Sequence, residues 1–320
     1  MQPFVSVIVP VYNVEPFFER CLHALFGQTL YEMEYVFIND CTPDNSMSLL
    51  NQVLMDYPQR REQVRIINHE HNMGLAVTRK EGMKAATGEY VISCDSDDWA
   101  ELTMYEKMYA AAVKEHADLV CCQYYEEFGN NKRILKGQKM EHKTSMRKLN
   151  GGFFTVWNKL VRRSLYTNYD VYPYEGVNMG EDVYVGIRLC HLSKKTTVIP
   201  EPLYHYNRQN VTAMTAGSRR LSLASVPDMV LGARKLETFF QEHGAYDENE
   251  VLIQQAKFDA KLPLLLHGRD QEWLNLFPET HRYIWKYPEK PIPRRIFYTL
   301  ASNGIFLPQT LRRWILRLLT

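Results

Sequence analysis

The sequence predicts an α/β protein, a doubly wound, mostly parallel sheet followed by a helical C-terminal extension. Three observations carry that expectation. Between Phe4 and Ser93, apolar strand-like segments alternate with amphipathic helical ones, the pattern of βαβ units with right-handed crossovers. The ends of three of these strands present Asn13, Asp40 and the trio Asp95, Asp97 and Asp98, so one edge of the sheet gathers polar groups. From Arg219 onward the apolar residues fall at helical spacing.

Each element has its own justification. Phe4 to Val11 is nearly all apolar, as suits a central parallel strand buried on both faces. Pro16 fits the first turn of the next helix, Leu22, Leu25 and Phe26 form its apolar face, and Gly27 breaks it. Tyr35 to Ile38 is the second strand, and Asp44 is a plausible N-cap for the helix lined by Leu49, Leu50, Val53 and Leu54. Val64 to Ile67 is the third strand, and a helix runs from Ala76 toward Gly88. Tyr90, Val91 and Ile92 make a fourth strand that runs into the acidic turn. Leu102 to Glu115 continues as helix and Asp118 to Tyr124 as strand. In the last hundred residues, Leu221, Leu223, Val226, Val230, Ala233, Leu236 and Phe240 mark one amphipathic helix, and a second runs near Val251 to Leu266.

Composition removes several function classes. The chain has 320 residues and a formal net charge of +1, which gives no global argument for nucleic acid. The six cysteines have no zinc-like pairing, and Cys121-Cys122 lies in an apolar run, so a reducing, cytosolic setting is expected. No secretory signal precedes Phe4 and no apolar run is long enough to span a bilayer. There is no Gly-x-Gly-x-x-Gly after the first strand and no Gly-Lys-Ser/Thr loop, which argues against a dinucleotide dehydrogenase and a P-loop NTPase.

The acidic turn after the fourth strand points to a metal-bridged nucleotide. Three carboxylates within one turn repel one another unless a cation sits among them, and hard oxygen ligands suit Mg²⁺ or Mn²⁺. Mg²⁺ in such sites uses one or two carboxylates and completes its shell with water and substrate phosphates. The competing reading is a solvated turn that caps the following helix.

Val5 to Asn13, Asn39-Asp40 with Asp44-Asn45-Ser46, Asn72-x-Gly74 with Arg79, and Gly88 to Asp98 together resemble glycosyltransferase family 2, of the GT-A fold. The resemblance extends to about Thr215 and implies a nucleotide-sugar donor site in residues 1–125, an acceptor half in 126–215 and a helical extension in 216–320. By similarity, Pro10, Tyr12 and Asn13 lie along base and ribose, Asp40 accepts a hydrogen bond from a uracil imide, and Arg79 faces the nucleotide. It further implies Asp95 near the ribose, with Asp97 and Asp98 on a divalent ion; which carboxylate touches the metal is left open. The family's two acids and a glycine at positions 39 to 41 are here Asn39, Asp40 and Cys41.

In the second half, the polar, basic stretch Phe128 to Lys148 is expected at the acceptor cleft. Trp157 and Lys159 lie in a segment similar to the family's donor-sugar segment, Trp157 as a stacking platform or simply as core. Gly180-Glu181-Asp182 resembles the catalytic-base motif, with Asp182 as base and Glu181 as a supporting acid; the competing reading is two acids capping a helix. Pro202 to Thr215 resembles the family's Tyr-x-Tyr-Arg region, with Asn207 intervening. His205 is read there as a metal or phosphate ligand or a core histidine, and Arg208 as a diphosphate clamp or a surface charge. The implied reaction is a metal-dependent, inverting transfer from a UDP-sugar to a glycan or lipid-linked glycan in surface polysaccharide synthesis. The basic, apolar stretch from Pro291 through Trp314 to Leu319 suits an anionic membrane surface, or a helix packed on the catalytic domain. Two alternatives are a sugar-phosphate nucleotidyltransferase, for which the glycine-rich basic loop after the first strand is missing, and a non-catalytic nucleotide-sugar or glycan-binding module.

Overall fold

Val5–Val11 forms β1 with every residue buried, and its side chains alternate between two cores. Val5, Val7, Val9 and Val11 face one cluster, while Ile8 faces the other. β2 (Met33–Asn39) does the same, with Tyr35 and Phe37 on the first side and Val36 and Ile38 on the second. This two-sided burial explains the near-continuous apolar strands. The structure, a computed structural model, describes residues 3–129, 133–136, 155–211, 213, 222–287 and 290–312.

α1 (Glu15–Phe26), α2 (Ser46–Met55) and α4 (Met104–Glu115) pack on the first side. α3 (Leu75–Ala85), α5 (Arg163–Tyr169) and α6 (Glu181–Leu192) cover the second. β3 (Val64–Asn68), β2, β1 and β4 (Tyr90–Ser93) are parallel neighbours in that order. Beyond β4 the sheet is mixed. β8 (Lys159–Arg162) enters antiparallel between β4 and β6 (Leu119–Glu127), so β6 is not beside β4. β9 (Thr196–Asn207) runs parallel to β6, β5 (Trp99–Ala100) pairs with β9, and β7 (Arg133–Lys136) pairs with β6.

α7 (Val226–Glu242) and α8 (Tyr246–Leu266) form the extension expected from the sequence, followed by α9 (Asp270–Asn275) and α10 (Ile292–Ser302). Tyr184 and Ile187 of α6 share a core with Leu236, Phe239 and Phe240 of α7, so the extension packs directly on α6. Among the described residues no helix is long and apolar enough to cross a membrane. All six cysteines are unpaired. Asp44 differs from its expected place: Asn45 holds the cap position, while the Asp44 carboxylate accepts from Glu15 N at 2.9 Å and from Ser46 N at 3.1 Å, tying the starts of α1 and α2 together. Much of the expected acceptor stretch (130–132 and 137–154), Met214-Thr215, and the C-terminal 313–320 with Trp314 lie outside the described residues.

Candidate active site

The strand ends converge as the alternation requires. β1 ends at Val11, after the buried Pro10, and Tyr12 and Asn13 beyond it are exposed. Asn13 takes a left-handed φ of 54°, and its N–H donates to Thr42 Oγ1 at 2.8 Å. Asn39, the departure from the family pattern, accepts from Thr42 N and donates to Asn68 Oδ1, both at 2.9 Å, so it joins the ends of β2 and β3.

Asp40 is 3% exposed, and its carboxylate holds the loop before α3. It accepts from Met73 N at 2.7 Å and Gly74 N at 3.0 Å, and pairs with His69 Nδ1 at 2.7 Å. His69 in turn reaches Glu81 Oε2 at 2.9 Å; burial opposes its charge, but the two carboxylates more than offset that and raise its pKa. Asp40 therefore sits at the expected strand end while organising its own loop.

For Arg79 the structure removes the helix-surface alternative: it is 4% exposed and lies between Glu181 Oε1 and Asp95 Oδ1, bonding both. Burial disfavours its charge, but Asp95 and Glu181 outweigh burial and hold the guanidinium ionised. One cation faces the carboxylates of Asp95, Glu181 and Asp182, so burial, together with Asp182 and Asp95, pushes the Glu181 carboxyl up to about 8. Arg79 thus ties the acidic turn after β4 to the start of α6, residues 102 apart in sequence from Arg79 to Glu181.

The acidic turn divides its carboxylates between two jobs. Asp98, expected on a metal, points inward: its oxygens accept from Tyr204 OH and Asn207 N, both at 2.7 Å, and it is 1% exposed. Burial first, then Asp97 and Asp95, raise its pKa. Tyr204 OH also accepts from Asp95 N at 3.2 Å, so β9 holds the turn at two points. Asp97 accepts from Asn210 Nδ2 at 2.8 Å; burial and then Asp95 push its carboxyl up to about 6.

A divalent cation fits this chemistry with a reduced ligand set. Among the described residues no cluster of three or more His, Cys, Asp or Glu side chains encloses an ion. A cation bound through substrate phosphates needs only one or two carboxylates. Asp97, with Asp95 beside it, meets that need; burial first, then the Asp95 charge, raises the Asp97 pKa, and a cation would offset the second of these.

For three further residues the structure favours a place in the core over a ligand contact: for Trp157 and His205 that was one of the two readings, and for Lys159 it replaces the donor-site reading. Trp157 is 5% exposed and stacks on Tyr204 and Tyr206 with centroids 4.5 and 5.6 Å apart, so its faces are occupied by the core. Lys159 is 2% exposed on β8 and donates to Thr155 O at 2.7 Å and Asn158 Oδ1 at 2.8 Å. His205 has both ring nitrogens committed, to Glu127 at 2.7 Å and Glu101 at 2.9 Å, and stacks on Trp99. Neither nitrogen can take a metal without breaking one of those bonds. Arg208 follows Asn207 and is exposed, its guanidinium 5.4 Å from the Tyr206 ring.

At the start of α6, Gly180 has φ +81°, which turns the chain so that Glu181 and Asp182 open the helix. Asp182 is half-buried and its Oδ1 accepts from Val183 N at 2.8 Å. The loop before it is held by Asn178 and Asp228, neither of which belongs to any expected motif: Asn178 Oδ1 accepts from Ala76 N at 3.1 Å, and Asp228 Oδ2 accepts from Asn178 N and Met179 N. An asparagine before Gly-Glu-Asp and an acid in a helix's first turn were the only sequence signals of these contacts.

Comparisons with known proteins agree with this architecture. EpsJ of Bacillus subtilis, an uncharacterized glycosyltransferase, is 31% identical over 225 residues, 67% of this chain and 64% of that protein. The glycosyltransferase GlyG of Streptococcus pneumoniae is 27% identical over 229 residues, 67% of this chain and 74% of that protein. The chain spans 64% of the length of EpsJ and 60% of EpsH of the same organism. Among solved structures, Staphylococcus aureus TarS 1–349 in complex with UDP-GlcNAc superposes with a TM-score of 0.60 at 18% identity, over 88% of this chain and 91% of that one. The mannosyltransferase PcManGT of Pyrobaculum calidifontis, with GDP-Man and Mn²⁺, gives 0.57 at 14% identity, over 99% of this chain and 86% of that one. Both share the GT-A fold with this chain. The sequence model of Glycosyl transferase family 2 matches residues 6–170, and the chain belongs to that family.

Proposed function

We propose that this protein transfers a sugar from a nucleotide-sugar donor, UDP-linked, to a hydroxyl of a glycan or lipid-linked glycan acceptor, with inversion at the anomeric carbon. The observation that carries the reading is Arg79, which bonds Asp95 on the donor edge and Glu181 beside the candidate base, and so joins the two motifs into one site. The UDP-GlcNAc and GDP-Man complexes of the structural neighbours support a nucleotide-sugar donor.

The chemistry follows from the groups present. An acceptor hydroxyl is a weak nucleophile at neutral pH, and Asp182 would take its proton as the new C–O bond forms. The bond from the anomeric carbon to the diphosphate breaks in the same step, and attack from the opposite face inverts the centre. Asp97, with Asp95, would hold Mn²⁺ or Mg²⁺, which when bound offsets charge on the departing diphosphate. Arg79 keeps Glu181 and Asp95 in place and adds positive potential beside them. A glycan destined for the cell surface and carried on a lipid would bring the enzyme to the inner face of the membrane. Exposed Trp285, Ile292 and Ile296 near Arg295 offer apolar side chains beside a cation for that contact.

The test is calorimetric titration of UDP, GDP, CDP and dTDP, with and without Mn²⁺, into wild type, Asp97→Ala and Asp182→Asn. The expected result is Mn²⁺-dependent UDP binding that is lost in Asp97→Ala and kept in Asp182→Asn, with sugar transfer absent in both. Preference for GDP or dTDP would overturn the UDP assignment and keep the reaction. Nucleotide binding without transfer or donor hydrolysis in wild type would favour a binding module.

A further inference from the structure

The helical extension enters the candidate active site through one side chain. We infer that Asp228, in the first turn of α7, is a positioning residue for the base, an inference that rests on the reading of Asp182 above. Asp228 Oδ2 accepts from the backbone N–H of Asn178 at 2.9 Å and of Met179 at 3.0 Å. These amides precede α6, so the helix's own hydrogen-bond ladder does not serve them. A carboxylate 50 residues further along the chain supplies the acceptor instead.

Two neighbouring contacts make that loop a junction. Asn178 Oδ1 accepts from Ala76 N at the start of α3, the helix that carries Arg79 to Glu181. The loop is therefore clasped between α7 on one side and α3 on the other, with Asp182 following at the helix start. α6 also rests on α7 directly: Tyr184 OH donates to Met229 O at 2.9 Å. Gly232 leaves room for the Tyr184 ring, since a Cβ there would lie 2.1 Å from its Cε2. With α6 seated on α7 and the loop tied to Asp228, the position of the Asp182 carboxylate depends on the extension.

Loss of Asp228 strands two amides and releases the loop, while the donor edge at Asp40, Asp95 and Asp97 keeps its own contacts. The consequence is specific: turnover falls and nucleotide binding stays. A shift of about 1 Å at a reacting group is enough to cost roughly 100-fold in rate.

The experiment uses the full chain and UDP release from UDP-GlcNAc, UDP-glucose or UDP-galactose with Mn²⁺, whichever the wild type turns over fastest. Rates are divided by the UDP-binding stoichiometry from calorimetry, so that only folded sites count. Asp228→Ala should lower kcat by roughly 10- to 100-fold with donor KM and UDP Kd within about twofold. Asp228→Asn, whose single carbonyl oxygen can accept both amides, should restore most of that loss. The inference is overturned by wild-type kcat in Asp228→Ala, or by a UDP Kd or donor KM that weakens in step with kcat. Wild-type turnover in Asp182→Asn would instead overturn the base assignment itself and the inference with it. Should Asp228→Ala fail to fold, Asp228→Glu moves the acceptor by one methylene and should lower kcat several-fold; an unchanged kcat there overturns the inference equally.

Discussion

Replacing Arg79 by methionine tests whether one buried guanidinium joins the two motifs. The substitution keeps the length of the aliphatic stem and removes the donors facing Glu181 and Asp95. Breaking a buried ion pair by truncating one partner costs about 3–5 kcal/mol when the remaining charge stays unpaired. Here the two remaining carboxylates differ. The Asp95 side chain is 24% exposed, so water replaces part of what it loses. Glu181 is 3% exposed, and burial raises its pKa even with Arg79 beside it, so without that cation it takes a proton at neutral pH. The cost therefore drops toward that of unsatisfied buried acceptors, about 2–3 kcal/mol in all. For a chain of this size that is a fall of roughly 5 °C in Tm. Urea unfolding of Arg79→Met, Glu181→Gln and the double variant measures it. The double variant should recover about 1 kcal/mol relative to Arg79→Met, since a neutral amide is buried there without the proton uptake that Glu181 needs at neutral pH. An Arg79→Met midpoint equal to wild type, or a double variant no more stable than the single, would refute the bridge.

Two other outcomes follow from the extension. Lys261 is fully buried, donates to Leu276 O at 2.7 Å and Phe277 O at 3.0 Å, and lies 2.8 Å from His281 Nε2; burial pushes its ammonium down to about 7. The unfolded chain keeps that proton up to the ordinary value of 10.5, so between about 7 and 10.5 the unfolded state binds more protons and stability should rise with pH. Urea midpoints across that window should show the rise in wild type and a flatter curve in Lys261→Met; identical slopes would show that Lys261 does not titrate as described. For the membrane contact, wild type should co-sediment with vesicles containing anionic lipid, and an Ile292→Ser/Ile296→Ser variant should do so several-fold less. Equal sedimentation of the two would remove α10 from that contact.

The parallel strands, their order of appearance and the positions of the acidic turn and Glu181-Asp182 were legible because burial on both faces imposes a local pattern. β1 cannot be buried on two sides without its run of Val and Ile, and Gly180 must precede the helix because the chain turns there with positive φ. The order of the strands within the sheet was not legible. β8 inserts itself antiparallel between β4 and β6, and nothing local in Lys159–Arg162 announces its neighbours.

Side-chain roles followed the same division. Residue type and spacing determined that carboxylates would collect at the ends of β2 and β4, since those strands deliver them to one edge. Only the tertiary structure decided which of them point outward. Asp98 and Asp97 are adjacent in sequence, yet Tyr204 and Asn207 of β9 turn Asp98 into the protein. Trp157 and His205 could have served a ligand by type; the aromatic layer of β9 and the two glutamates flanking His205 use them instead. Arg79 to Glu181 and Asp228 to Asn178 are contacts across 102 and 50 residues. Their energy comes from pairing a charge that burial has stripped of water and from supplying acceptors to part-buried loop amides, conditions that exist only once the chain has closed around them. Local sequence reports the periodicity a segment needs for burial; it carries no record of which distant group will answer a buried charge.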